Sequence, residues 1–311
     1  MGLAVESVDL VKAYGPHRAL DGVGVQVPDG GVYGLVGANG AGKTTLFGLV
    51  CGLRGVTRGV LRVLGGPPAA AVRAGQVRYL ADTPQFYPWL SGREMVRFAL
   101  AVHRVDDGPA AADALLDRVG LLAASGRKTR GYSRGMLQRL GLATVLAGEP
   151  RLLVLDEPSA ALDPEGRAEV LDIVREAGRT ATVIFSTHVL ADAQRVCTTV
   201  GILRAGRLLV QAPLADLLAG EGAPTYFLDL PASVPGLAAR LGALPFVGSV
   251  RESPPVPGGT RVRVLVQARD HDAAVTLLPR MALDAGGALE GFGRLEATLE
   301  DVFLALTAGT P

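Results

Sequence analysis

Residues 37–44 read Gly-Ala-Asn-Gly-Ala-Gly-Lys-Thr, directly after the apolar run Val32-Tyr-Gly-Leu-Val36. From Lys43 to Gly52 the apolar spacing is that of a helix. A glycine-rich turn that leaves a buried strand and opens a helix constrains this chain more than any other feature. Its glycines let successive backbone N–H groups turn inward around phosphate oxygens, and the helix start adds the positive end of its dipole. Gly37, Asn39, Gly40, Gly42, Lys43, Thr44 and Thr45 are therefore the candidate cradle. In that pattern Lys43 reaches the terminal phosphates and the Thr44 hydroxyl ligates magnesium. For this composition the pattern arises by chance roughly 0.004 times per chain, before any strand or helix context is required.

The rest of the chain supplies that context. Apolar strand-like runs recur at 76–80, 152–155 and 182–185, with helical stretches at 94–102, 110–119, 135–147 and 164–177. Continuous apolar strands separated by helices predict an α/β fold with a parallel sheet covered on both faces. Residues 200–203 and 208–210 read as a hairpin closing this unit. With 311 residues there is room for two domains. A Gly/Pro-containing break at 220–224 divides a cassette, 1–219, from a smaller segment, 220–311. The second segment reads as strand 226–230, helix 235–241, hairpin strands 247–251 and 261–266, helix 272–281, strand 289–292 and helix 299–307. That β-α-β-β-α-β order predicts a small ferredoxin-like α+β domain, and its lack of a basic stripe or aromatic platform favours a regulatory or dimer-supporting role over nucleic-acid binding.

Charge narrows the function. Basic and acidic residues nearly cancel, 31 against 30, which argues against a chain that coats nucleic acid or an anionic membrane. Only Lys12, Lys43 and Lys128 are lysine. No uncharged apolar run reaches the ~18 residues of a membrane span, and no signal peptide is visible. Cys51 and Cys197 lack any metal-ligand or disulfide pattern and read as buried hydrophobes.

Two further strand ends carry polar groups. Leu152-Leu-Val-Leu155 runs into Asp156-Glu157. Beside a phosphate loop, Asp156 can hold magnesium, while Glu157 can face an attacking water as general base. The strand 182–185 runs into Ser-Thr-His188, which places His188 to bridge Glu157 and a γ-phosphate. His17, His103 and His271 lack such a context and read as structural.

Taken together, these residues resemble the ATP-binding subunits of ABC transporters over about residues 3–212. Between the loop and the acidic strand, Tyr132-Ser-Arg-Gly-Met-Leu-Gln-Arg139 is similar to that family's signature at Ser133 and Gly135 and departs from it at Tyr132, Arg134 and Met136. The variant looks like the form common in bacterial drug and antibiotic exporters. The resemblance implies a P-loop cassette with a mixed sheet and a helical signature subdomain. It implies that Tyr14 stacks on adenine, that Ser133 and Gly135 face the γ-phosphate of an opposite copy, and that Asp163 lies in the loop linking the copies. Two ATP molecules, with Mg2+, would be sandwiched in a dimer. The family's magnesium-contacting glutamine is replaced: Asp82 stands at its place and Gln85 follows three residues later, so either is a candidate. The tail, Thr298-Leu-Glu-Asp-Val-Phe-Leu-Ala-Leu306, resembles exporters whose multi-span permease is a separate chain. The implied location is the cytoplasmic face of the bacterial cell membrane, held there by the permease. Phe86 and Trp89 are the candidate contacts for that partner, with helix-packing core as the competing role. A nucleic-acid- or ribosome-directed ATPase of the same class is the alternative, and a phosphotransferase a second.

Overall fold

The computed structural model describes residues 2–105, 108–160, 162–219, 224–253, 261–295 and 298–308. They form two compact units, 1–214 and 215–311.

In the first unit, β1 (Leu3–Tyr14), β2 (His17–Val23) and β3 (Gln26–Pro28) pair antiparallel. The chain then enters the core as β4 (Val32–Val36) and delivers residues 37–42 to α1 (Lys43–Val50). β5 (Arg58–Val63) returns to β1, completing a four-stranded antiparallel sheet. After α2 (Pro68–Arg73) and β6 (Val77–Leu80) comes a helical excursion of α3 (Gly92–Val102), α4 (Pro109–Arg118) and α5 (Arg134–Leu146). β7 (Leu152–Leu155), α6 (Pro164–Ala177), β8 (Thr182–Thr187), α7 (Leu190–Val196), β9 (Thr199–Arg204) and β10 (Arg207–Pro213) follow, and α8 (Leu214–Ala219) leads into the second unit.

The second sheet runs β10-β9-β4-β8-β7-β6. Its strands are parallel except β10, which pairs antiparallel with β9. Every residue of β4, β7 and β8 is buried, as expected of strands covered on both faces. Register decides where function can sit. Val36 pairs with Thr187 and Leu155 with Phe185, so the carboxyl ends of β4, β7 and β8 lie side by side. Side chains just beyond them converge on one edge, the usual ligand edge of such sheets. Phe185 is fully buried at the middle of this sheet. Phe185→Ala should cost about 3–5 kcal/mol, read as a fall in the urea midpoint of the first unit.

The parallel core and its helices lie within a few residues of the sequence expectation. The antiparallel sheet has no clear signal in the sequence pattern. β1 reads poorly because Asp9, at φ 46°, breaks its alternation, and its register shifts against each partner. β3 has only three residues, and the short helices α2 and α7 were also missed. α3 starts at Gly92 rather than Glu94 because Ser91 caps it. The Ser91 hydroxyl accepts from the Glu94 N–H at 3.3 Å and the Glu94 carboxylate accepts from the Ser91 N–H at 2.6 Å. Those bonds, with Lys128 beside them, hold the Glu94 carboxyl down to about 2.

The second unit contains β11 (Thr225–Leu230), α9 (Leu237–Gly242), β12 (Val247–Glu252), β13 (Val262–Ala268), α10 (His271–Asp284), β14 (Gly291–Leu295) and α11 (Leu299–Ala308). Its sheet order is β12-β13-β11-β14 with every pair antiparallel, the split β-α-β arrangement. Tyr226, Leu228 and Leu230 of β11 pack with Leu237 and Leu241 of α9 and with Ala274 and Leu278 of α10, so both helices cover one face. Residues 220–223 of the break and 254–260 of the hairpin loop lie outside the described residues.

Both cysteines are buried, and burial pushes their thiols up, Cys51 to about 12. Among the described residues, no helix is long and apolar enough to cross a membrane.

Candidate active site

The turn after β4 is shaped for a bound anion. Gly42, at φ 110°, is the N-cap of α1 and gives it no side-chain cap, leaving first-turn N–H groups for a ligand. A Cβ on Gly42 would lie 2.7 Å from the Ala19 carbonyl, and one on Gly37 would run into the Leu203 carbonyl. Ala38, Asn39 and Gly40 are exposed, as is Thr44, while Thr45 is buried beneath them.

Lys43 is only 6% exposed. Its ammonium donates to the carbonyls of Gly37 at 2.7 Å and Ala38 at 3.2 Å, and pairs with Glu157 Oε1 at 3.1 Å. A compact ammonium on a flexible stem can meet three oxygens at once where a planar guanidinium would not fit.

Asp156 and Glu157 leave β7 in different directions. Asp156 is buried; its Oδ1 accepts from the Ser186 hydroxyl at 2.6 Å and its Oδ2 from the Tyr79 hydroxyl at 3.3 Å. Glu157 has φ 47°, left-handed backbone that is costly for a side chain of this kind. Its N–H donates to Ser186 Oγ at 2.9 Å, which holds the turn in place. The strained turn directs the carboxylate to Lys43 on one oxygen and to His188 Nδ1, 2.8 Å away, on the other. His188 is half exposed. Lys43, Asp156, Glu157 and His188 thus form one cluster at the strand ends. Ser186 and Tyr79 support it and were missed in the sequence: Ser186 stands in the Ser-Thr-His run, but nothing marks Tyr79.

Asp82 lies at the border of this cluster. Partial burial raises its carboxyl above the ordinary value, and the carboxylates of Asp156 and Glu157 raise it further. Arg134 and His188 act in the opposite direction. Gln85 is exposed further along the same loop.

A second cluster surrounds the start of α5. Ser133 caps the helix, its hydroxyl accepting from the Met136 N–H at 3.2 Å. Ser133, Arg134, Gly135, Leu162, Asp163 and Gly166 line an open groove of about 480 Å³. Asp163 caps α6 through the Gly166 N–H. Behind it, buried Asp192 accepts from Ser159 Oγ and Arg167 Nε, each at 2.6 Å.

Tyr14 ends β1 and is 45% exposed, with the Lys12 ammonium 4.9 Å from its ring centroid. Trp89 is 64% exposed and packs against Tyr87, ring centroids 5.3 Å apart. Tyr87 in turn meets exposed Phe98 edge-on, whereas Phe86 is half-buried. Trp89 is therefore surface, not helix-packing core. Of the remaining histidines, His271 bonds the Tyr226 hydroxyl at 2.7 Å, and burial lowers His103 below its usual value.

A glycine-rich turn at a helix start, an acidic strand end and a histidine meet on one edge of this sheet, an arrangement suited to a P-loop nucleotide hydrolase. The family model for ABC transporters matches residues 20–160. The uncharacterized ABC transporter ATP-binding protein YxlF of Bacillus subtilis is 34% identical, over 97% of this chain and 98% of its own. The daunorubicin resistance ATP-binding protein DrrA3 of Streptomyces coeruleorubidus is 35% identical, over 95% and 93%. A solved ATP-binding subunit of an ABC transporter is 29% identical, with a TM-score of 0.62 over 70% of this chain and 92% of its own. The chain belongs to the ABC transporter ATP-binding proteins and is an ATPase.

Proposed function

We propose that this chain is the motor of an export complex whose membrane-spanning part is a separate multi-span permease, and that two copies clamp two ATP molecules. The observation that carries the reading is the Lys43–Glu157–His188 cluster, a base held between a phosphate-seeking ammonium and an imidazole. The export direction is supported by the daunorubicin resistance relative, whose match takes in nearly the whole of both chains.

In the proposed mechanism, adenine stacks on Tyr14 and the phosphates enter the cradle of Gly37, Asn39, Gly40, Gly42, Lys43, Thr44 and Thr45. The γ-phosphate takes over the Lys43 ammonium, which frees Glu157 to accept a proton from water. That water attacks the γ-phosphorus, and the bond to the β-bridging oxygen breaks to give ADP and phosphate. His188 orients Glu157 and reaches the γ-phosphate with its exposed side. Ser133 and Gly135 of one copy close on the nucleotide held by the other, with Asp163 in the loop between them.

The oxygen donors near the cradle, the Thr44 hydroxyl and the carboxylates of Asp156 and Asp82, fit Mg2+. That ion is usually held by one or two carboxylates plus substrate phosphates rather than by a protein cage, and no three-ligand cage occurs among the described residues. Bound there, it would neutralise charge on the phosphates. Asp82 is preferred to Gln85 for this role because it shares a field with Asp156 and Glu157.

Closure of the two copies would move the permease between inward- and outward-facing states. The exposed Tyr87–Trp89–Phe98 surface is the proposed contact, at the cytoplasmic face of the cell membrane. The second unit, 215–311, is proposed to regulate or support the dimer. The test is ATPase activity after co-reconstitution with a candidate multi-span permease from the same cells. Stimulation by that partner is expected, and Trp89→Ala should remove most of it while leaving ATP affinity intact. Stimulation unchanged in Trp89→Ala would overturn the contact; no stimulation at all would overturn the pairing.

A further inference from the structure

Tyr14 is not a lone ring on the surface. The end of β1 is stitched to residues 54–57, about 40 positions along the chain. The Ala13 N–H donates to Thr57 Oγ1 at 3.1 Å, the Thr57 N–H to the Val11 carbonyl at 3.0 Å, and the Lys12 ammonium to the Gly55 carbonyl at 2.8 Å. Within this stitch, Arg54 Nη1 donates to the Tyr14 hydroxyl at 2.8 Å and reaches Thr45 Oγ1 at 3.4 Å. Its guanidinium carbon lies 5.8 Å from the Tyr14 ring centroid. Thr45 is in the first turn of α1, so one side chain touches both the aromatic platform and the phosphate-binding helix.

Arg54 is also held at its root by the backbone. Its N–H donates to the Gly48 carbonyl at 3.0 Å, as does the Leu53 N–H at 2.8 Å. A Cβ on Gly48 would lie 2.9 Å from Arg54 Cδ and 3.0 Å from Nε, so the bare Gly48 backbone is the bed on which the arginine stem lies. A guanidinium with several donors in a rigid fork suits such a bridge, and a stem fixed at its root loses little entropy on making it.

We infer that Arg54 is a nucleotide-positioning residue, a strut that sets Tyr14 against the start of α1 so that base and phosphates of one ATP are received together. The inference rests on the proposed stacking of adenine on Tyr14. It predicts that Arg54 matters only for ligands that carry a base. The phosphates alone already have their cradle.

The test uses the full chain and displacement of a fluorescent ATP analogue by ATP, ADP and inorganic tripolyphosphate, with steady-state kinetics alongside. Arg54→Met should weaken ATP and ADP by about three- to tenfold, less than a charge-assisted hydrogen bond is worth in full because Arg54 acts through Tyr14 and not on the ligand itself, and raise KM with kcat nearly unchanged. Tripolyphosphate affinity should not move. Tyr14→Phe keeps the ring and loses only the hydroxyl, so it should give the same loss, and the double variant should lose no more than either single one. Arg54→Lys should recover part of it. Wild-type ATP affinity in Arg54→Met would overturn the strut. So would an equal loss of tripolyphosphate, which would place Arg54 with the phosphate cradle instead. Tyr14→Ala separates the two ideas. If it binds ATP normally, the stacking reading itself fails; if it loses ATP while Arg54→Met and Tyr14→Phe do not, the strut alone fails.

Discussion

A Glu157→Gln variant is expected to bind ATP and to stop turning it over. The amide keeps the shape of the carboxylate and the strained turn at φ 47°, since the turn is held by the Glu157 N–H on Ser186, which the substitution leaves in place. What disappears is the basic oxygen. A positioned general base contributes about 10²–10⁴-fold to such a step, so phosphate release should fall by that factor. The variant also loses the anion that pairs with Lys43 at 3.1 Å. With its ammonium freed, Lys43 should meet the γ-phosphate at least as readily as before. ATP affinity should therefore be equal or higher, and a clamped dimer should accumulate with ATP. Phosphate release and analytical ultracentrifugation in ATP check both halves. Normal turnover would remove Glu157 as the base.

Lys43→Ala is expected to fail earlier, at binding. The ammonium is the cradle's only charged donor in contact with both loop carbonyls and Glu157, at 2.7 to 3.2 Å. Charged hydrogen bonds of this kind are worth about 1.5–3 kcal/mol, and each ~1.4 kcal/mol is a factor of ten, so ATP should bind about 10- to 100-fold more weakly. Glu157 keeps its His188 contact, so the fold should survive, which a thermal scan would verify. Lys43→Arg should not restore binding, because the buried site suits a point charge and not a planar fork. Isothermal titration with ATP reads both variants. Wild-type affinity in Lys43→Ala would contradict the cradle assignment.

The two predictions rest on parts of the molecule that the sequence displays unevenly. The loop 37–44, the acidic end of β7 and His188 after β8 are legible because each is local: a buried strand, then polar residues in fixed order. The β-α-β-β-α-β order of the second unit is legible for a related reason, since β11 and β13 alternate cleanly between inward and outward residues. β1 is not, because a left-handed Asp9 interrupts its period. The long-range partners are less legible still. Tyr79 meets Asp156 across 77 positions and Arg54 meets Tyr14 across 40, and no residue type or spacing announces either contact. Lys12, which had no evident role in the sequence, lies over the Tyr14 ring for the same kind of reason. Exposure of Trp89 was likewise open until the fold placed it outside the helical packing.

The central claim is that Lys43 and Glu157 divide binding from hydrolysis at one site in each of two clamped copies. The most direct measurement isolates the dimer that Glu157→Gln forms with ATP and identifies its nucleotide after denaturation. The account predicts one unhydrolysed ATP per chain. A dimer carrying ADP, or no ATP-dependent dimer at all, would contradict it.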